Sequence, residues 1–133
     1  ARQADADQAL QLGIAIGDTL FYSQIVHYEN NVPVQIEDRF VNPETAPDYL
    51  RQVLNKQTPY TYLMDIAPLT AGEHRVEAIS ASDEQRHLLQ LEEHEPCLLI
   101  HRRTWSGSRV VTSARLIYPG SRYQLFGRFT SHG

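Results

Sequence analysis

A single cysteine, Cys97, stands among the 133 residues, so no internal disulfide can form, which fits a reducing, cytoplasmic setting. Long apolar runs are missing as well. No window approaches the roughly 20 residues of a membrane span, and no charged-then-apolar leader is present, so no membrane association is expected. Clustered bases are also lacking. Sixteen acids against twelve bases, a net charge of -4, argue that this chain does not itself grip nucleic-acid phosphates. Seven Gly and seven Pro are too few for a fibrous or disordered chain. With 41% hydrophobic and 21% charged residues, the sequence reads as one globular domain over residues 1–133. It opens at Ala1 without Met, which suits a fragment of a longer protein as well as a processed terminus.

Catalytic patterns are scarce too. His27, His74, His87, His94, His101 and His132 form no HExxH or close Cys/His spacing, so no metal site is expected. No G-x-S-x-G elbow and no phosphate-cradling glycine loop occurs. Cys97 heads the apolar run CLLI and reads as a small buried hydrophobe. No catalytic group and no cofactor is expected.

What is present is a pattern of strands and short helices. Leu20–Tyr28 and Val32–Val41 alternate apolar and polar residues around Asn30-Asn31, a hairpin signal because Asn tolerates the positive φ of a tight turn. Asp5–Leu12 reads as a short helix stopped by Gly13. Thr45–Leu54 places Tyr49, Leu50, Val53 and Leu54 at helical spacing. Thr58-Pro59 looks like an N-cap followed by Pro at the first helical position of YTYLMDI. His74–Ala81 is expected as a strand and Ser82–Leu91 as a capped amphipathic helix. Pro96–Trp105 and Arg109–Tyr118 form a second hairpin, and Tyr123–Phe129 a last strand.

The two hairpins, each preceded by a helix, suggest a pseudo-repeat with Phe40 in the place of Tyr118. Two like hairpins then meet in one antiparallel sheet, with a cleft where their equivalent faces converge.

A polar-ligand pocket needs a few convergent polar groups in an apolar cleft, and His27, Glu37, Thr58, Tyr60, Arg103, Thr112 and Tyr118 are the candidates. Each has a plainer reading. His27 equally suits a satisfied core histidine, Glu37 and Arg39 a mutual ion pair, Thr58 a helix cap, and Tyr60 and Tyr118 core aromatics. Register decides part of the choice. A two-residue Asn30-Asn31 turn sets His27 opposite Val34 and puts His27 and Glu37 on opposite faces; one extra residue puts them on one face. A two-residue Gly107-Ser108 turn pairs Arg103 with Thr112 and puts both on the face of Tyr118, which favours Arg103 over Arg102 as a carboxylate binder.

The ordered set DQALQLGIAIGD, IVHYENNVPVQIEDRFVNP, TPYTYL, VEAISASDEQRHLLQLEEHEPCLLIHRRTW and TSARLIYPGSRYQLFGRF resembles the UTRA effector domain of GntR-type transcription regulators across nearly the whole chain. IVHYENNVPVQIEDRFVNP, TPYTYLM and APLTAGEH most resemble the histidine-utilisation branch. The resemblance implies an α+β, chorismate-lyase-like fold: a mostly antiparallel sheet backed by helices with an effector pocket between them. It implies a homodimer that represses transcription, reaching DNA only through an N-terminal winged helix-turn-helix outside this chain. In that branch the expected effector is urocanate. Phosphate-sensing relatives keep two arginines where this chain has Ile25 and His27, an acid at Glu37, Ser and Tyr at Thr58 and Tyr60, a Glu at Thr112 and a Tyr at Tyr118. The alternative implied by the same fold is a lyase acting on an aromatic carboxylate.

Overall fold

The alternating segments assemble into one antiparallel sheet in the order β1-β2-β3-β6-β5-β4. Its strands are β1 (Arg2–Gln3), β2 (Thr19–Glu29), β3 (Val32–Val41), β4 (Ala71–Ser80), β5 (Pro96–Ser106) and β6 (Arg109–Pro119). The computed structural model describes residues 1–52 and 57–131. The hairpins β2–β3 and β5–β6 join through the β3–β6 pairing, as the pseudo-repeat requires.

Among the described residues three α-helices punctuate the sheet: α1 (Ala6–Leu12), α2 (Pro59–Ile66) and α3 (Asp83–Leu89). Asp5 and Ser82 open α1 and α3 with the same device, each side chain accepting from a backbone N–H that Gln8 or Gln85 provides while that Gln accepts from the cap residue. Gly13 ends α1 at φ 67°, a conformation that only glycine adopts without side-chain cost. Helices α1 and α3 cover one face. Leu12 and Ala9 pack with Leu20 beside Tyr22 and Phe40, and Leu89 packs with Ile36, Leu99 and Ile117. Each such buried aliphatic chain contributes roughly 1.5–3 kcal/mol of hydrophobic free energy. Helix α2 covers one end of the opposite face, where Tyr62, Leu63 and Ala67 meet Tyr49, Ala46, Val41 and Val111.

Two expected elements are not formed. Thr45–Leu54 gives only a 3-10 turn, Tyr49–Arg51, and Val53 and Leu54 lie outside the described residues. The Asn42 side chain accepts from the Glu44 N–H while its carbonyl takes those of Thr45 and Ala46, and Pro47 then offers no donor, so the segment spends its hydrogen bonds on turns. Tyr49 is pinned instead, its hydroxyl 2.7 Å from Ser23 Oγ. Tyr123–Phe129 is not a strand. Pro119 ends the ladder, Gly120 donates to the Pro96 carbonyl, and β6 already has partners on both sides.

Both hairpins carry a one-residue irregularity. Tyr28 pairs with Pro33 but His27 with Gln35, leaving Val34 extra; Trp105 pairs with Val110 but Thr104 with Thr112, leaving Val111 extra. Such a bulge reverses which side chains share a face.

Candidate functional site

The first bulge lies just beyond a true two-residue turn at Asn30 and Asn31, with φ 52° and 65°. It does what a longer loop was expected to do: His27, Gln35, Glu37 and Arg39 share one face. His27 Nε2 lies 3.1 Å from Glu37 Oε1, Arg39 Nε donates to Glu37 Oε2 at 3.0 Å, and an Arg39 Nη donates to Thr112 Oγ1 at 3.4 Å. Thr112 Oγ1 lies 2.8 Å from Thr104 Oγ1, extending the chain of bonds to the second hairpin. Glu37, Arg39 and Thr112 are buried. Burial pushes the Glu37 carboxyl up, but the His27 bond and the Arg39 charge outweigh it and hold it below the usual range.

The second bulge corrects the expectation for Arg103. Arg103 pairs with Ser113, not Thr112, and points to the opposite face, where it bonds Glu73 and lies 5.0 Å over the Trp105 ring. Arg102 takes the inward position. It donates to His74 Nε2 at 2.8 Å, and burial followed by the Arg102 charge pushes the His74 imidazole down, so the neutral ring accepts that bond.

A cavity of about 230 Å3 lies between α2 and this face. Its apolar wall includes Leu63, Met64, Ala67, Leu69 and Val111, and its polar side includes Arg39, His74, Arg102, Thr104 and Thr112, with Tyr60 at the rim. The structure thus brings Tyr60 and Thr112 to the cavity. His27 and Glu37 stand behind it, holding Arg39. Thr58 does not line it; its hydroxyl accepts from the Thr61 N–H as the cap of α2. Tyr118 lies at the other end of the face, accepting from Gln35 Nε2 at 2.7 Å and stacked 3.8 Å from Tyr123. The polar lining residues outside the seven candidates are Arg39, His74, Arg102 and Thr104. Arg39 was within reach, because strand alternation puts it on the face of Glu37. His74 and Arg102 were hidden by the bulge. No cluster of metal-ligating side chains occurs among the described residues, and none of their helices is long and apolar enough to cross a membrane.

Comparison with known proteins places this architecture. The UTRA domain model matches residues 1–124. The chain is 61% identical to a histidine utilization repressor of Pseudomonas putida over 127 residues, 96% of this chain and 51% of that protein. It is 56% identical to that of Klebsiella aerogenes, covering 97% of this chain and 54% of the relative. The chain therefore spans about half the length of the curated relatives it matches. The crystal structure of the C-terminal domain of histidine utilization repressor from Pseudomonas syringae superposes with a TM-score of 0.93 at 58% identity, covering 98% of this chain and 92% of that one. PhnF from Mycobacterium smegmatis shares the fold, with a TM-score of 0.89 at 16% identity over 98% of this chain and 59% of that one. The fold is the expected α+β, chorismate-lyase-like one. Matched over most of its length and with its expected sheet in place, the chain belongs to the UTRA domain family and is similar to the histidine utilization repressors.

Proposed function

We propose that this chain is the effector-sensing domain of a repressor of histidine utilisation, taking urocanate or a related flat carboxylate into the cavity beneath α2. Occupancy would alter operator binding by a DNA-binding region outside this sequence. The observation that carries the reading is the make-up of the cavity: a cationic side chain, Arg102, at one side of an apolar slot that Leu63, Met64 and Val111 help to line. Arg39 is already matched by Glu37 at 3.0 Å, so Arg102 is the cation better suited to an incoming carboxylate. Neutral His74, Thr104 and Thr112 offer hydrogen bonds to an imidazole. The relatives carry a repressor's name, which favours regulation over the lyase alternative.

Calorimetry with urocanate, histidine and an amino-sugar phosphate tests the ligand class. Heat with urocanate is expected; binding of the sugar phosphate alone sinks the reading. Arg102→Ala should weaken urocanate binding about tenfold or more, as befits a charged hydrogen bond worth about 1.5–3 kcal/mol. Arg103→Ala should leave it unchanged.

Self-association belongs to the same reading. Leu125, Phe126 and Phe129 are 55%, 84% and 96% exposed, and β4 is an open edge whose residues are almost all exposed. Both are surfaces that a second copy would cover. Sedimentation equilibrium should give a dimer, and Phe126→Asp with Phe129→Asp should shift it toward monomer.

A further inference from the structure

On the opposite face of the sheet, at the α1 end, lies a second hollow of about 170 Å3. Its floor is made by strands β4, β5 and β6, where the register sets Arg75 directly opposite His101 and His101 directly opposite Arg115. Adjacent strands lie about 4.8 Å apart, so three basic side chains stand in one row within roughly 10 Å. Asp38 stands opposite Arg115 on β3 but accepts from Tyr22 and Gln24, and Glu77 Oε1 lies 3.2 Å from His101 Nε2, so the acids beside the row are engaged elsewhere than on its two arginines. Neither Arg75 nor Arg115 has a hydrogen bond, ion pair or ring contact among the described residues. In the next row Arg103 also faces the hollow, its charge shared with Glu73 at 3.3 Å. From above, α1 contributes Gln8 and Gln11, whose amides can donate, and Asp7, which lies within ion-pairing distance of none of these arginines.

We propose that this second hollow binds a small, multiply charged oxyanion, a phosphate or a polycarboxylate, on the sheet face opposite the effector cavity. The two unpaired guanidiniums supply forked donors that match such an anion. Arg103 adds further N–H donors from the side. The hollow lies across the sheet from Arg102, so the two sites are chemically separate and can be filled together.

The test is thermal unfolding of the 133-residue chain with inorganic phosphate, and in parallel with citrate, each against sodium chloride at equal ionic strength. Phosphate or citrate should raise Tm by a few degrees more than chloride does, in a saturable way. Arg115→Gln should remove that excess. In low salt without the anion it should melt close to the parent, because Arg115 is exposed and makes no bond that the variant loses. If Arg115→Gln fails to fold, Arg75→Gln reads the same two quantities. Equal shifts with the oxyanions and with chloride would reduce the effect to screening and overturn the proposal. So would an undiminished oxyanion response in the variant, since phosphate also stabilises proteins by exclusion from their surface. Urocanate binding by calorimetry should be unchanged in Arg115→Gln; its loss would place the anion in the effector cavity and equally overturn the assignment.

Discussion

The segments β1-α1-β2-β3 and β4-α3-β5-β6 repeat one another about the β3–β6 seam. Asp5 and Ser82 cap the two helices, Asn30-Asn31 and Gly107-Ser108 make the two turns, and Val34 and Val111 are the two bulged residues. Aligning these marks sets Val41, not Phe40, against Tyr118, and it shows where the halves part. Glu37 and Arg39 of the first half correspond to Ala114 and Leu116 of the second, while Ile25 corresponds to Arg102. The chain beyond each hairpin differs as well. After β3 comes α2, which roofs the face but leaves a hollow; after β6 the chain lays Tyr123 on Tyr118 and fills its end. The cavity therefore arises from departures from the repeat: polar side chains on one copy of a position, apolar ones on the other, and a helix in place of a stacked tyrosine.

Converting one half toward the other should break the comparison most severely at the buried ion pair. Arg39→Leu places the residue of Leu116 in the first half but leaves Glu37, whose side chain is only 7% exposed, with His27 as its remaining partner. Breaking a buried pair in this way should cost about 3–5 kcal/mol in urea unfolding. The double change Glu37→Ala with Arg39→Leu copies the second half in full and should recover most of that loss. If the double variant is as unstable as the single one, the two halves are not interchangeable in packing.

A smaller effect, with a distinct pH signature, belongs to Glu37→Gln, expected to cost about 1–3 kcal/mol near neutral pH by leaving Arg39 poorly matched. Although burial pushes the Glu37 carboxyl up, His27 and Arg39 hold its folded pKa below the unfolded one. The stability it contributes is thus complete above the unfolded value of about 4.3 and fades as pH falls through the folded value. The gap between parent and variant should accordingly be widest near neutrality and narrow in acid. A gap that does not change with pH would mean that the carboxylate charge is not what stabilises the parent. At the other end of the face, Tyr123→Ala removes the stack on Tyr118 and should cost about 1 kcal/mol. Tyr118 keeps its bond from Gln35, so the hydrogen-exchange protection of β6 should persist.

The range of each interaction decided how much of this was legible in the sequence. The caps at Thr58 and Ser82, the helix stop at Gly13, the turns and the hairpins are decided within a few residues, and they formed as read. The helix expected from Thr45 failed because Asn42 and Pro47 redirect backbone bonds locally, a signal that spacing alone does not carry. The candidate site was read only in part, because each bulge slips the register by one residue. That slip brings His27 to Glu37 and exchanges Arg103 for Arg102. A bulge depends on packing across the sheet, as with Val111 against Leu63 beneath α2, and two long-range partners cannot be paired from one strand's pattern.

The finest distinction between the halves lies in their turns. Asn30 and Asn31 both adopt positive φ, 52° and 65°, whereas in the second turn only Gly107 does, at 61°. Asn enters that region readily and Gly enters it without cost, but Gly also releases more backbone freedom on unfolding. The two terms oppose one another, and Asn31 is exposed with no side-chain bond among the described residues. Asn31→Gly should therefore shift stability by no more than about 0.5 kcal/mol and leave the cross-strand contacts of His27 with Gln35 intact by nuclear Overhauser measurement. A loss well above about 1 kcal/mol, or His27 moving opposite Val34, would mean that the turn sequence itself sets the bulge. The register that joins His27 to Glu37 would then be imposed locally, and the second hairpin's bulge would need a different cause.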